Sequence, residues 1–323
     1  ITDNHIIELT GVLDELKSNS NVYAYDYGND TRGPLSYVNG QAETGGHMWT
    51  ARYTGYLTDT LTLTANYGEM RTKMYQAEPA GYDDSLVRID NWIYQNPALN
   101  GGSPIYNNQV QNDISEPDRG NHSSNLRIDL TWVLGKHTLS AGLDNIRSQA
   151  IDQGGHAPGP GYVWTYQRAD DPSLPLDASH GIGPVAGFPN GADGYYVQKS
   201  TWSGITSISS SQRAQYIEDK WQVADTLLLS LGLRNDQFTN YNSDGIAYIR
   251  QTKPQWAPRI GAAWDVHGDA SFKVYANAGR YYLGLPLNPG LIVAAGFYNT
   301  TQLFTYSGIA TDGSPTGLTQ VSN

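Results

Sequence analysis

The chain has 323 residues, a formal net charge of -11, no cysteine, 39% hydrophobic residues and a mean hydropathy of -0.49. That balance offers no basic stripe for duplex phosphates, no thiols for a disulfide scaffold or thiolate zinc site, and no run of about 18 apolar residues for a helical membrane span. A β-barrel is left open, because alternating strands dilute their apolar residues with polar ones.

In chain order, Asn4 to Asp14 alternates, with Ile7, Leu9, Gly11 and Leu13 on one parity, and predicts a strand. Residues 15–45, rich in Asn, Asp, Gly, Ser and Tyr, read as a loop with a turn signal at Asn39-Gly40. Gly46 to Leu57 sets Trp49, Ala51, Tyr53, Gly55 and Leu57 against Thr50, Arg52 and Thr54. It turns at Thr58-Asp59 and returns through Thr60 to Met74, with Leu61, Leu63, Ala65 and Tyr67 on one side. Residues 76–120 carry no period and read as a long loop.

Asn121 to Val133 places Leu126, Ile128, Leu130 and Trp132 against Arg127, Asp129 and Thr131; Leu134-Gly135 turns it into Lys136 to Arg147, where Leu139, Ala141 and Leu143 oppose Asp144. Residues 149–211 read as a second long loop. Tyr216 to Asp236 then forms a hairpin about Ala224-Asp225, with Leu227, Leu229, Leu231 and Leu233 at every second position. The last hairpin joins Trp256 to Asp265 with Ala270 to Tyr282, Pro258 marking a bulge or a strand start. Residues 283–323 read as a third loop with local order near Leu291 to Tyr298.

Short and long connections alternate, as in an up-and-down barrel with tight turns on one rim and large loops on the other. Trp132, Trp221 and Trp264 share the apolar parity just before tight turns, the pattern of an aromatic girdle. The expected fold is an all-β, antiparallel, up-and-down transmembrane β-barrel with long extracellular loops and short periplasmic turns. The polar parity gives Arg52, Arg127, Asp129, Asp144, Arg234 and Arg259 as lumen-facing candidates. A soluble β-rich adhesin or glycan-binding protein shares the alternation and would stay soluble without detergent.

Tyr216, Asp219 and Trp221, then Leu227 and Leu229, then Gly232, Arg234 and Asp236 resemble the YxxDxW...LxLxxGxRxD hairpin of TonB-dependent outer-membrane receptors. Ala257-Pro258-Arg259, Gly261 and Trp264, with Tyr275, Gly279 and Tyr281, resemble the hairpin that follows. Asn4-His5 with Glu8-Leu9-Thr10 is similar to the Oar-like, OmpA-related subgroup. The resemblance is specific over residues 214–282 and generic elsewhere. It implies about 22 strands around a plug, a bacterial outer-membrane location, and import of a scarce small molecule, glycan or peptide with energy from the TonB complex. About nine strands are countable here, without plug or closing strands, so residues 1–323 are expected to be one partial barrel domain whose TonB contact lies in a missing N-terminal region.

No enzyme chemistry stands out, and no cofactor is called for. Asp83-Asp84 and Asp170-Asp171 lie in Asn- and Gly-rich loops without EF-hand spacing. The seven histidines, His180 among them, never form HxxxH or HExxH, so no metal site is expected. An outer-membrane barrel hydrolase is the enzymatic alternative, with Asp83, Asp84 and His180 as its candidates. For substrate contact the candidates are Tyr162, Trp164, Tyr166, Tyr195, Tyr196 and Trp202, because rigid rings with polar tips suit ligand capture.

Overall fold

Alternating segments pair with their neighbours in sequence, and here they build a wall. The computed structural model describes residues 3–170 and 194–322. β1 (His5–Ser18) is followed by a hairpin of β2 (Asn21–Asp26) and β3 (Thr31–Val38), then by β4 (Ala42–Tyr56) and β5 (Leu61–Gln76). An excursion carries β6 (Arg88–Asp90), a 3-10 turn at Trp92–Tyr94 and the short helix α1 (Pro97–Asn100) before β7 (Gly120–Leu134) and β8 (His137–Gln153). Next come β9 (Val163–Arg168), β10 (Tyr195–Ser203), β11 (Thr206–Ala224), β12 (Leu227–Tyr241), β13 (Ala247–Gln251), β14 (Trp256–Asp265) and β15 (Lys273–Gly279). The remainder holds α2 (Leu287–Val293), β16 (Tyr298–Thr305), β17 (Gly308–Ile309), β18 (Pro315–Thr316) and β19 (Thr319–Ser322).

The wall is a ten-stranded sheet in the order β1-β4-β5-β7-β8-β11-β12-β14-β15, with β13 pairing β12 off this path. Every pair in it is antiparallel. A second, five-stranded sheet, β19-β16-β10-β9-β6, is built from the long connections, and its β6–β9 pair is parallel. Its core packs Val87, Ile89, Trp164, Tyr166 and Val197, with Trp92, Tyr162, Phe304, Tyr306 and Ile309 against them. The wall has no such core, and its aliphatic face is bare: Leu9, Leu13, Ile217, Ile260 and Trp264 are all exposed. A continuous bare face of this kind marks contact with another phase.

Register shows how the strands lean. Trp132 stands opposite Leu139, which stands opposite Asp219, two residues from Trp221. Trp221 stands opposite Leu229, opposite Ala262, two residues from Trp264. The tryptophan row thus slips two residues for every two strands crossed. A slip of about 3.3 Å per 4.8 Å of sheet corresponds to a tilt of roughly 35°. All three tryptophans then lie at one height.

Several segments differ from the sequence-based expectation. β1 continues to Ser18, β4 begins at Ala42, β8 continues to Gln153 and β11 begins at Thr206, so the wall rises beyond the alternating parts. β11 has 19 residues, whereas about 9–11 cross a bilayer. The surplus is polar on both parities, as in Ser209, Ser210, Ser211 and Gln212, and polar on both sides leaves no period to read. The expected loops 15–45, 149–211 and 283–323 contain β2–β3, β9–β10 and α2 with β16–β19. β15 is shorter than Ala270 to Tyr282. Pro258 lies two residues inside β14 with the register unbroken, so it marks a strand start and no bulge forms. A bulge does occur between Gln222 and Ala224.

After β15 the chain folds back onto the polar face of the wall. Asn240 Nδ2 donates to the Leu285 carbonyl at 3.0 Å. A side chain at Gly284 would meet Phe238 at 2.4 Å, so only glycine admits this approach. Replacing Leu233 on the apolar face by arginine is expected to cost about 2–4 kcal/mol for the protein folded in phospholipid vesicles. Ser140→Arg on the polar face should stay within about 1 kcal/mol. Urea unfolding in vesicles measures both, and equal losses would contradict the assignment of faces.

Candidate functional site

Directly opposite residues share a face, so register gathers the polar candidates. Glu8, Arg52, Asn66, Arg127 and Asp144 stand opposite one another along successive strands from β1 to β8. Asp129, Gly142, Tyr216 and Arg234 do the same one step away on that face. Arg127 Nε donates to Asp129 Oδ2 at 2.8 Å, and the Tyr216 hydroxyl donates to the other oxygen of Asp129. Arg234 bridges Asp144 at 3.2 Å and Asp236 at 2.9 Å. Asn125 Nδ2 holds the second oxygen of Asp144 at 3.1 Å.

Two of these bridges skip a strand, and each passes over a small residue. Tyr216 on β11 reaches Asp129 on β7 across Gly142, where a Cβ would meet the tyrosine ring at 2.7 Å. Arg234 on β12 reaches Asp144 on β8 across the fully buried Ala214. Arg259 is different. Its guanidinium lies 4.6 Å from the Tyr281 ring centre, and its Nε is buried without a hydrogen-bond partner. Arg52 faces Glu8 at 3.8 Å with both side chains more than half exposed.

These differences separate strong pairs from weak ones. Asp236 is 3% exposed, so losing Arg234 strands a desolvated carboxylate. Arg234→Met is expected to cost about 3 kcal/mol, against less than about 1 kcal/mol for Arg52→Met at its exposed pair. Chemical unfolding of the two variants checks the ranking, and equal costs would contradict it.

The aromatic candidates lie in the second sheet and around it. Trp164, Tyr166 and Tyr196 are buried, while Tyr162, Tyr195 and Trp202 are half-buried. Lys199 sits 4.2 Å above the Tyr162 ring centre, Arg168 sits 5.1 Å above Tyr195, and Trp202 Nε1 donates to Asp113 at 3.0 Å. Sequence reading missed a cleft of about 880 Å³ beside this sheet, lined by Tyr37, Tyr82, Arg88, Trp92 and Tyr106 among others. Trp92 and Tyr106 stack there with ring centres 4.6 Å apart. Such a volume fits a small ligand. Their parent loop, 76–120, has no period to single them out; their aromatic character was the one available signal.

The acidic candidates do not assemble. Asp83 accepts from the Ser85 backbone at 2.9 Å and from its hydroxyl, which holds the carboxyl below its usual range. Asp84 is exposed. Asp171 and His180 lie outside the described residues. Among the described residues no three His, Asp or Glu side chains group as metal ligands.

Burial raises the phenols inside the second sheet. Tyr306 is pushed up to about 12 and Tyr166 is raised further, desolvation being the main cause in each. The ordinary phenol titrates at 10.0, so the unfolded sheet ionises first. Stability from these two groups is whole below pH 10 and falls as pH rises through the folded values. Tyrosinate absorbance in an alkaline titration of the folded protein should therefore lag, and Tyr166→Phe with Tyr306→Phe should remove two tyrosines from the lagging fraction.

Comparison with known proteins agrees with the wall. The family described as outer membrane beta barrel domain matches residues 12–323, and the chain belongs to it. The TonB-dependent transporter Oar of Myxococcus xanthus is 31% identical over 102 residues, covering 32% of this chain and 9% of that protein. Among solved structures, the FrpB iron transporter of Neisseria meningitidis (F3-3 variant) is 14% identical with a TM-score of 0.48, covering 95% of this chain and 42% of that one. The ferripyoverdine receptor of Pseudomonas aeruginosa is 15% identical with a TM-score of 0.28, covering 96% and 46%. The chain spans less than half the length of each of these three proteins. It is a bacterial outer-membrane protein, and its bare aliphatic face meets lipid.

Proposed function

We propose that this chain is part of the wall of a TonB-dependent outer-membrane transporter, which captures a scarce small molecule, glycan or peptide and imports it to the periplasm. The observation that carries this reading is the 31% identity with the transporter Oar. In this reading the chain supplies part of a barrel of about 22 strands. The tight turns face the periplasm and the second sheet lies outside the cell. The polar face carrying Arg52, Arg127, Asp129, Asp144, Arg234 and Arg259 lines the lumen, where fixed charge pairs sit beside the passage.

Substrate meets the outer sheet first. Trp164, Tyr166 and Tyr196 give that sheet its core, while the accessible edges of Tyr162, Tyr195 and Trp202 and the Trp92–Tyr106 cleft supply contact. Energy reaches the wall through the TonB complex, bound by a region outside residues 1–323.

The test uses the full-length protein in its own cells, following depletion of a mixture of ferric chelates, oligosaccharides and peptides from the medium. One component should be depleted by wild-type cells, and neither by cells lacking the protein nor by cells lacking TonB. Tyr195→Ala with Trp92→Ala should raise the half-saturating concentration about tenfold, roughly 1.4 kcal/mol, without lowering the amount of folded barrel. Depletion that continues undiminished without TonB would refute the reading.

A further inference from the structure

The outward face carries charge at one height. Arg71 stands opposite His47 and His122, Arg147 stands opposite Ser124 and Ser211, and Arg213 stands opposite Asn145 and Gln237. All belong to the same parity as Trp49, Tyr67 and Trp221, which faces lipid. Arg147 shares a register row with Trp49, through Ser124 and Glu69; Arg71 lies two residues above that row and Arg213 two below it. The strands slip by one residue each between Trp132 and Trp264, and the same slip brings the three arginines to within a residue of one level. Arg213 stands eight residues up β11 from Trp221, roughly 26 Å along the strand and about 22 Å in height. That is close to the full apolar band of about 25 Å.

These arginines also differ from three of those on the polar face. Arg127, Arg234 and Arg52 each face a carboxylate of the wall. Arg71, Arg147 and Arg213 are exposed and have no carboxylate within ion-pair distance among the described residues. Two of the nearby acids are engaged elsewhere: Glu69 accepts from the Tyr67 hydroxyl and faces His122 at 3.8 Å, and Glu43 holds Lys17 and Lys73. Above the row lies a cleft of about 740 Å³ lined by Lys17, Arg71, Lys73 and His122 together with the carboxylates of Glu15, Glu43 and Asp118, so its own charge is balanced and the free cations are those of the row. The Nε2 of His122 is buried there without a hydrogen-bond partner.

We infer that this arginine row, with His122 beside Arg71, is a docking surface for phosphorylated glycolipid headgroups of the outer leaflet. Guanidinium groups match phosphate oxygens two at a time, and at the headgroup boundary an unpaired cation finds its counter-anion in the lipid. The aliphatic side chains beneath, such as Leu126, Leu143 and Ile217, meet the acyl chains of the same molecule.

The inference takes its orientation from the proposed function, but its test reads no transport. Full-length protein is purified in detergent, and bound bis-phosphorylated lipid A is counted by native mass spectrometry. Combined Arg71→Gln, Arg147→Gln and Arg213→Gln should weaken binding by about fivefold per arginine. The corresponding three lysine substitutions should keep most of it, and Lys136→Gln at the opposite rim should keep all of it. Dephosphorylated lipid A should bind weakly to every form, and inorganic phosphate should not compete at equal concentration. Heat-modifiable migration verifies that each variant is folded, and single Arg147→Gln is read if the triple variant is not. Wild-type affinity in the folded glutamine variants, or equal binding of dephosphorylated lipid, would overturn the inference. A protein that binds the phosphorylated lipid yet imports nothing would fault the transport reading alone.

Discussion

A backbone that passes through lipid must bring its hydrogen-bond partners with it, because none are supplied there. This constraint selects the ladder of neighbouring strands from β1 to β15, and it imposes a period of two on every side chain the ladder carries. One parity is then owed to lipid and the other to whatever the sheet encloses. The composition follows: the aliphatic side chains go outward and leave no interior core, so the polar average hydropathy and the bare leucines are two views of one arrangement. The packed apolar core cluster found among the described residues belongs to the second sheet.

What could be read from sequence was what alternates. The hairpins around Thr58-Asp59, Leu134-Gly135 and Ala224-Asp225 were legible because one face of each strand is apolar, and Trp132, Trp221 and Trp264 were legible because each sits on that face near a turn. The strand extensions were not. Ser148, Gln149, Ser209 and Ser210 are polar on both parities, so the ladder continues with no change in pattern to announce it. β9 failed to show for the opposite reason: Val163 and Trp164 on successive parities are both buried, and a strand covered on both sides has no contrast.

The candidate site divides in the same way. Arg127, Asp129, Asp144 and Arg234 could be placed on one face by parity, since register preserves parity from strand to strand. Which of them touch could not be derived, because Tyr216 to Asp129 and Arg234 to Asp144 are contacts between next-nearest strands. The cleft with Trp92 and Tyr106 was hidden for a related reason: it is made by segments far apart in sequence, β3 and residues 79–110, and no local pattern encodes such a meeting.

The strand-skipping bridges have a mechanical side. Each spans three strands on the polar face, over Gly142 or Ala214, and no equivalent ties appear among the described contacts of the aliphatic face in the four strands involved. Ties on one face alone draw that face together, which favours bending toward the polar side. Gly142 and Ala214 therefore act on curvature: bulk at either position would prop the ties open and flatten the wall, and at Gly142 a side chain would also press on the Ile128 carbonyl at 2.6 Å, so the same small residue guards both the tie and the ladder beneath it.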